Sequence, residues 1–161
     1  MGGRPISSLR DELGKKNPFE LPEQEAYFAL ARTLRRLDLE IERFFKAAGL
    51  TESSYNVLRI LRGHLRTHVG DAPFNGVKST VIQHQMINPV PDVTRLVDRL
   101  ERDRLARRER DGDDRRVVRV QITDLGLERL DALDAPLLEL HKQLLGHLDL
   151  SLIHISEPTR P

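Results

Sequence analysis

The chain contains no cysteine and no tryptophan among its 161 residues. The absence of cysteine excludes disulfides, thiolate metal sites and thiol-based redox sensing. No run of apolar residues approaches the roughly 18–20 that span a bilayer, and the N-terminal residues contain no apolar signal core. We therefore expect a cytoplasmic protein without a membrane partner.

Aromatic residues are scarce, at 4% of the chain, whereas charged residues make up 32%. Together with an abundance of leucine and arginine, this composition favours helices, and the length suits a single domain. The formal net charge of +1 says little, because a basic surface on one segment can be balanced by acidic residues on another. Charge therefore has to be considered segment by segment.

Motifs typical of enzymes are also missing. The sequence has no phosphate-binding loop, no Gly-x-Ser-x-Gly motif and no cysteine nucleophile, and its carboxylates alternate with arginines in a way that indicates ion pairing. His64 and His68 have a spacing that suits zinc on one helix face, but Asp71 is the only nearby carboxylate in a loop-like stretch. We predict no enzymatic activity, no metal and no cofactor.

Helical periodicity begins at residue 23. Residues 1–22 contain glycine, proline and charges without a clean period, and are predicted to form a flexible arm. In residues 23–50 apolar side chains recur at spacings of three and four, which predicts a helix with a narrow seam for another helix. These side chains are Tyr27, Leu30, Leu34, Leu37, Ile41, Phe44 and Ala48. Gly49 is expected to end this helix, and Thr51 to cap a second helix that ends near Gly63.

Proline and glycine punctuate the next part of the chain. Residues 63–76 are predicted to connect two helices, and a short helix is predicted at residues 79–86. Pro89 and Pro91 must end that short helix, because each disfavours helical backbone in the residue before it. Pro91 is then well suited to the first position of a new helix.

The new helix, at residues 91–105, is the most informative segment. Its buried stripe follows the i, i+3, i+4, i+7 pattern, with Val93, Leu96, Val97 and Leu100. Its opposite side carries Pro91, Arg95, Asp98 and Arg102, with Arg99 on the flank. Asp98 lies between Arg95 and Arg102 at helical spacings, so we predict that it holds both arginines in position.

After this helix the pattern alternates with a period of two, which predicts a β-hairpin. Its strands are expected at residues 107–110 and 116–122, joined by a turn at 111–114. One face of the second strand carries Val118, Val120 and Ile122, and the arginines of the hairpin include Arg110, Arg115, Arg116 and Arg119. Residues 95–119 contain ten arginines and seven acidic residues, so the segment is modestly basic. A helix followed by a charged hairpin predicts a winged helix-turn-helix, with the helix in the major groove and the wing arginines on phosphates or in the minor groove.

Leucines again recur at spacings of three and four in residues 123–150, with Pro136 inside the run. This pattern predicts two helices, or one helix kinked at the proline. The two terminal seams could pack together in one chain. A second leucine series and the two half-sites that such readers need instead favour a dimer through the N- and C-terminal helices. Residues 151–161 abandon the pattern and are expected to be a non-native tail.

Several runs in the sequence resemble the MarR family of bacterial regulators. They are LTE at 50–52, DVTRLVDRLE at 92–101, DRR at 114–116 and ITDLG at 122–126. The resemblance covers about residues 23–150. It implies a mainly α fold with a small β wing and about six helices. It also implies a homodimer in which the terminal helices interlock and two winged domains, at residues 51–122, bind a pseudo-palindromic operator.

The resemblance also implies site residues. Thr94 and Arg95 would lie at the groove, Arg115 at the tip of the wing, and Asp114 would orient the wing. The full predicted DNA-binding set is Pro91, Thr94, Arg95, Asp98, Arg99, Arg102, Arg110, Arg115 and Arg116. Two departures from the family pattern affect the approach to the helix at residues 91–105, called the reading helix because it would contact the bases. Residues 79–86 lack the usual Leu-Ala spacing, and two prolines crowd the turn.

Members of this family often respond to small aromatic or phenolic ligands. The residues placed to contact such an effector would be Tyr27, Phe28, Tyr55 and His64. The predicted function is thus a sequence-specific DNA-binding regulator, a repressor released by an aromatic ligand. The alternative is a winged-helix protein-interaction module whose arginine row contacts an acidic partner. An isolated helix face rich in Arg, Asp and Glu is often only solvated, but the adjoining hairpin argues against that interpretation here.

Overall fold

A computed structural model describes residues 8–68, 74–88, 92–110 and 118–148. Within these residues the chain forms six helices and three strands. In chain order they are α1 (Leu9–Glu12), α2 (Pro22–Ala47), α3 (Glu52–Thr67), β1 (Val77–Lys78), α4 (Ser79–Gln85), α5 (Val93–Arg102), β2 (Ala106–Arg110), β3 (Val118–Ile122) and α6 (Asp124–Leu145). The structure confirms the predicted fold class, mainly α with a small β wing and about six helices.

Some predicted features lie outside the described residues. They are the start of the arm, Pro89 and Pro91 in the turn before the reading helix, the hairpin turn with Asp114, Arg115 and Arg116, and the tail at residues 151–161.

The chain divides into two compact units, Met1–Arg43 and Phe44–Pro161. The first contains α1 and most of α2, and the second begins with the last residues of α2 and includes α3 to α6. The seam predicted for α2 is uncovered in the first unit, where Tyr27, Leu30 and Leu34 are each more than half exposed.

The predicted arm contains the short helix α1. Ser8 caps this helix, and its hydroxyl accepts a hydrogen bond from the backbone N–H of Asp11 at 3.2 Å. In the last turn of α1, the Glu12 carboxylate pairs with Arg32 at 2.9 Å and with Arg36 at 3.3 Å, both on α2. The first unit therefore has charge contacts between α1 and α2 that the irregular composition of the arm did not suggest.

The second unit is built around α3. Val57, Leu58 and Leu61 of this helix are fully buried. They belong to one cluster with side chains of α5, β3 and α6, namely Val97, Leu100, Val120 and Leu130. Burial of each side chain of this size contributes about 1.5–3 kcal/mol to the stability of the fold. The helix α3 is therefore the central element of this second unit, which is called the winged unit because it contains the wing strands β2 and β3.

The helix α3 ends at Thr67, beyond the predicted end at Gly63. A glycine ends a helix when its backbone is left-handed, as it is at Gly49 with φ 73°. Gly63 instead has helical backbone, and Leu65, one residue after His64, packs against the core and favours a further turn. The prediction of a connecting stretch is therefore wrong for residues 63–67, and His64 lies on a helix.

The sheet has three antiparallel strands in the order β1-β3-β2. The short strand β1, which the sequence analysis did not predict, pairs Val77 with Val120 of β3. Gly76 precedes β1 with φ 86°, and a Cβ there would lie 2.7 Å from both the Gln121 side chain and the Val120 carbonyl oxygen. The backbone of β1 thus approaches β3 too closely for any larger residue at position 76.

The reading helix α5 is shorter than predicted. It begins at Val93, because Asp92 is extended and its carboxylate caps the helix by accepting from the N–H of Thr94 at 2.9 Å. A start at Pro91 is therefore wrong. The helix ends at Arg102, and Arg104 turns the chain with a left-handed φ of 59° before β2 begins at Ala106.

The C-terminal helix α6 is a single helix that continues through Pro136, in place of two separate helices. Thr123 caps it, its hydroxyl accepting from the N–H of Gly126 at 3.1 Å. A Cβ at Gly126 would overlap the Leu105 carbonyl oxygen and the Ile122 side chain. In the described part of the chain, no helix is both long and apolar enough to cross a membrane.

Candidate nucleic-acid interface

The helix α5 has one buried side and one exposed side. Val93, Val97 and Leu100 are buried, and Leu96 packs partly buried against the same core, as the spacing predicts. The opposite side exposes Thr94, Arg95, Asp98, Arg99 and Arg102. The side chain of Arg95 is 89% exposed, so its guanidinium is accessible for bidentate bonds to a guanine edge.

The prediction that Asp98 holds Arg95 and Arg102 in position is wrong. Asp98 pairs with Arg108 of β2 at 2.7 Å, whereas Arg95 pairs with the capping residue Asp92 at 3.4 Å. Pairs within one exposed helix contribute only about 0.2–0.5 kcal/mol. A guanidinium from the wing strand that contacts several acceptors at once therefore competes successfully for the Asp98 carboxylate.

Arg108 joins the wing to the reading helix. Its guanidinium forms an ion pair with Asp98 at 2.7 Å, and it donates to Glu101 at 2.7 Å and to the backbone carbonyl of Thr94 at 3.1 Å. Its backbone N–H also donates to the Glu101 carboxylate at 3.1 Å. The sequence analysis missed this residue. A signal was present, because Arg108 lies two residues after buried Ala106, on the same inner face of β2, where a charge needs partners.

The wing strands are described up to the Arg110–Val118 pair, where Arg110 is exposed. Nearer the core, Arg107 donates to the amide oxygen of the buried Gln121 at 2.7 and 3.1 Å. The amide nitrogen of Gln121 in turn donates to the backbone carbonyl of Phe74 at 3.1 Å. Gln121 therefore connects both wing strands to the segment before β1.

A second arginine that sequence reasoning missed connects α3 to α6. Arg62, with a side chain only 10% exposed, donates two bonds of 2.7 Å to Asp134 and one of 2.9 Å to Asp131. The hydrogen bonds to Asp134, opposed by burial, raise the pKa of Arg62, and the same bonds lower the pKa of Asp134. Arg62 and Asp134 are therefore both charged near neutral pH, and the contact orients α6 on the winged unit.

No protein-family model matches the chain, and a search of curated proteins finds no significant match. Among solved structures, a MarR transcription factor from Planctomyces limnophilus is 36% identical over 86% of this chain and 94% of that chain, with a TM-score of 0.66. The chain belongs to the MarR family of transcription regulators.

Two other MarR-fold structures illustrate what such proteins have been seen to bind. The DNA complex of MepR from Staphylococcus aureus is 18% identical over 80% of this chain and 88% of that chain, with a TM-score of 0.65. CouR from Rhodococcus jostii RHA1, bound to p-coumaroyl-CoA, is 21% identical over 89% of this chain and 99% of that chain, with a TM-score of 0.65. At these identities the likeness supports the fold alone.

The four residues expected near a MarR-family effector fall in two units. In the first, Tyr27 and Phe28 make an edge contact, with ring centroids 5.4 Å apart. In the second, Tyr55 is half-buried against Phe45, and burial is the main cause that raises its pKa. His64 lies on the same helix as Tyr55, about 13 Å further along the axis by helical rise. The structure therefore does not bring Tyr55 and His64 together.

His64 borders an open groove of about 400 Å³ between α3 and α4. Its Nε2 lies 2.9 Å from the Gln85 side-chain oxygen. The other lining residues are Arg59, Ile60, Gly63 and Thr67. Within the described ranges, no group of three or more His, Cys, Asp or Glu side chains is arranged to hold a metal ion.

Proposed function

We propose that this MarR-family chain is a sequence-specific DNA-binding regulator that acts as a homodimer on a pseudo-palindromic operator and represses transcription. In this proposal residues 51–122 bind DNA, whereas residues 23–50 and 123–150 form the dimer. The observation that carries it is the exposed face of α5, where Thr94 and Arg95 lie opposite the side that packs against the core.

The chemistry of that face suits the major groove. A helix fits this groove, and an arginine on it can bond to the O6 and N7 atoms of guanine. Asp92 caps α5 and forms an ion pair with Arg95, so the guanidinium of Arg95 lies beside the N-terminal turn of the helix. In helix-turn-helix proteins these N-terminal residues contact base edges. We therefore assign direct base contacts to Thr94 and Arg95, with Arg99, Arg102 and Arg110 nearer the phosphates.

Exposed leucines support the homodimer. Leu30 and Leu34 on α2 are 65% and 59% exposed, and Leu138 on α6 is 69% exposed. Soluble monomers rarely leave large contiguous apolar surfaces uncovered, so leucines at helical spacing favour a helical partner. A second copy of the chain would also supply the second winged unit that a pseudo-palindrome requires.

We further propose that a small aromatic or phenolic ligand releases the regulator from DNA, with Tyr27, Phe28, Tyr55 and His64 as its neighbours. CouR, which shares this fold, has been solved with p-coumaroyl-CoA bound. Titration of the protein–DNA complex with phenolic acids tests the idea, and an unchanged DNA affinity across the series would count against it.

The principal test measures binding to a duplex from the region upstream of the gene, by fluorescence anisotropy over a range of salt concentrations. The logarithm of the affinity should fall linearly with the logarithm of the salt concentration. Arg95→Ala should weaken binding by about 1–3 kcal/mol, because it removes a base contact. Lys142→Ala removes a cation of α6 that is also largely exposed, at 77%, and should change the affinity far less.

Two outcomes would argue against the proposal. Absent or salt-insensitive DNA binding would favour the alternative, a winged-helix module for an acidic protein partner. Equal effects of Arg95→Ala and Lys142→Ala would show that α5 contributes only its charge.

A further inference from the structure

Arg108 makes more contacts to the reading helix than any other wing residue in the described part of the chain. Its guanidinium reaches Asp98 at 2.7 Å, Glu101 at 2.7 Å and the Thr94 carbonyl at 3.1 Å. These three acceptors span almost the whole length of α5. The side chain of Arg108 is 25% exposed, so the contact is only partly open to water.

The contact also changes the charge of the reading helix. Asp98 and Glu101 are 50% and 41% exposed and lie on the same helix as Arg95 and Arg102. Within the described residues, Arg108 forms an ion pair with both of these carboxylates. Without it, two negative charges on α5 would face the DNA backbone unpaired, and like charges repel.

We propose that Arg108 is a positioning residue for DNA reading, which holds α5 and the wing as one body and offsets part of the negative charge of the two carboxylates of α5. This inference rests on the proposed DNA-binding function. Its consequence is that Arg108 determines sequence discrimination, because discrimination depends on the angle at which Thr94 and Arg95 enter the groove. Arg108 itself needs no contact with a base.

The shape of the side chain explains why arginine occupies this position. A guanidinium presents five N–H donors in a planar fork and can bond to several acceptors at once. The ammonium of a lysine carries the same charge as a compact point, and would pair with one carboxylate without reaching the Thr94 carbonyl as well. Arg108→Lys therefore separates the geometry of the contact from its charge.

The test uses two duplexes with the full-length protein. One is selected by the wild-type chain from a random library, and the other has both half-sites scrambled. The dissociation constants for both are measured at one salt concentration, and their ratio is the discrimination. Arg107→Ala is the matched control, because it removes the same charge from the neighbouring position of β2, whose side chain contacts Gln121 rather than α5.

We expect Arg108→Ala to lower the discrimination by about tenfold or more, which corresponds to the loss of one well-placed base contact. Arg108→Lys should bind the scrambled duplex within about twofold of wild type while its discrimination stays low. Arg107→Ala should weaken binding to both duplexes equally and leave the ratio unchanged. Equal ratios for Arg107→Ala and Arg108→Ala would overturn the inference.

A variant on the helix side covers the case in which Arg108→Ala fails to fold. The double substitution Asp98→Asn with Glu101→Gln leaves Arg108 in place but removes both ion pairs and makes the surface more positive. We expect tighter binding to the scrambled duplex and lower discrimination. An increase of affinity for both duplexes with unchanged discrimination would overturn the positioning role. If the wild type selects no duplex at all, the proposed function itself fails.

Discussion

At the scale of the residue, one glycine of this fold lies too close to neighbouring backbone to carry a side chain without a shift. Gly126, in the first turn of α6, lies against the Leu105 carbonyl and the Ile122 side chain. The carbonyl belongs to the backbone and cannot rotate away as the end of a flexible side chain can. A methyl group at this position must therefore displace α6 from the wing.

We expect Gly126→Ala to lower the free energy of unfolding by about 1–3 kcal/mol, the usual cost of overpacking. Gly63→Ala is the control, because a Cβ at this helical glycine meets no atom within 4 Å. Alanine should stabilise that helix by about 0.5–1 kcal/mol, since it has the higher helix propensity. Urea unfolding of both variants checks the pair, and a neutral Gly126→Ala would contradict the close approach.

At the scale of the element, sequence pattern predicted the helices α2 to α6, but it missed the short α1, placed the ends of α3 and α5 wrongly and predicted contacts between elements poorly. The apolar spacing of α5 identified its buried side correctly, since that spacing depends only on helix geometry. The partners of Asp98 and Arg62 were not predicted, because they lie on other elements, where helical spacing gives no information. The strand β1 has two residues, too few for any period to be detected.

The contact between α3 and α6 carries a pH dependence. The hydrogen bonds from Arg62 are the main cause that lowers the pKa of Asp134 below its ordinary value of 3.8. A carboxyl whose pKa is lower in the folded state stabilises the fold above its unfolded pKa, and that contribution is lost as the pH falls through the folded pKa.

We therefore expect wild type to be more stable than Asp134→Asn at neutral pH, by about 1–2 kcal/mol after allowance for solvent screening. The difference should shrink as the pH falls below 3.8, the ordinary value for this carboxyl. Chemical denaturation at a series of pH values measures it. A difference that stays constant down to strongly acidic pH would mean that the Asp134 charge does not stabilise the fold.

At the scale of the whole molecule, the proposal requires two copies of the chain. Leu138 on α6 is exposed, and Gln143 lies about 140° away around the helix. Leu138→Glu should convert the dimer to a monomer, because it places a charge in an apolar interface. Gln143→Glu introduces the same charge at a polar position and should leave the dimer intact.

Light scattering coupled to size-exclusion chromatography distinguishes these states by mass. A monomeric wild type, or equal masses for wild type and Leu138→Glu, would contradict dimerisation through the leucines of α6. The sequence suggested the dimer through leucine spacing, through the two half-sites that such readers need and through the family resemblance. Leucine spacing cannot by itself distinguish a contact within one chain from a contact between two.

The short strand β1 has a consequence for solubility. By pairing with Arg119 and Val120, it covers part of an edge of β3 that would otherwise offer free N–H and C=O groups to another chain. The other edge of the sheet is β2, where Arg107, Arg108 and Arg110 follow one another within five residues. Charged side chains on an edge strand disfavour edge-to-edge pairing between molecules. The arginines of β2 thus help to protect the sheet from aggregation.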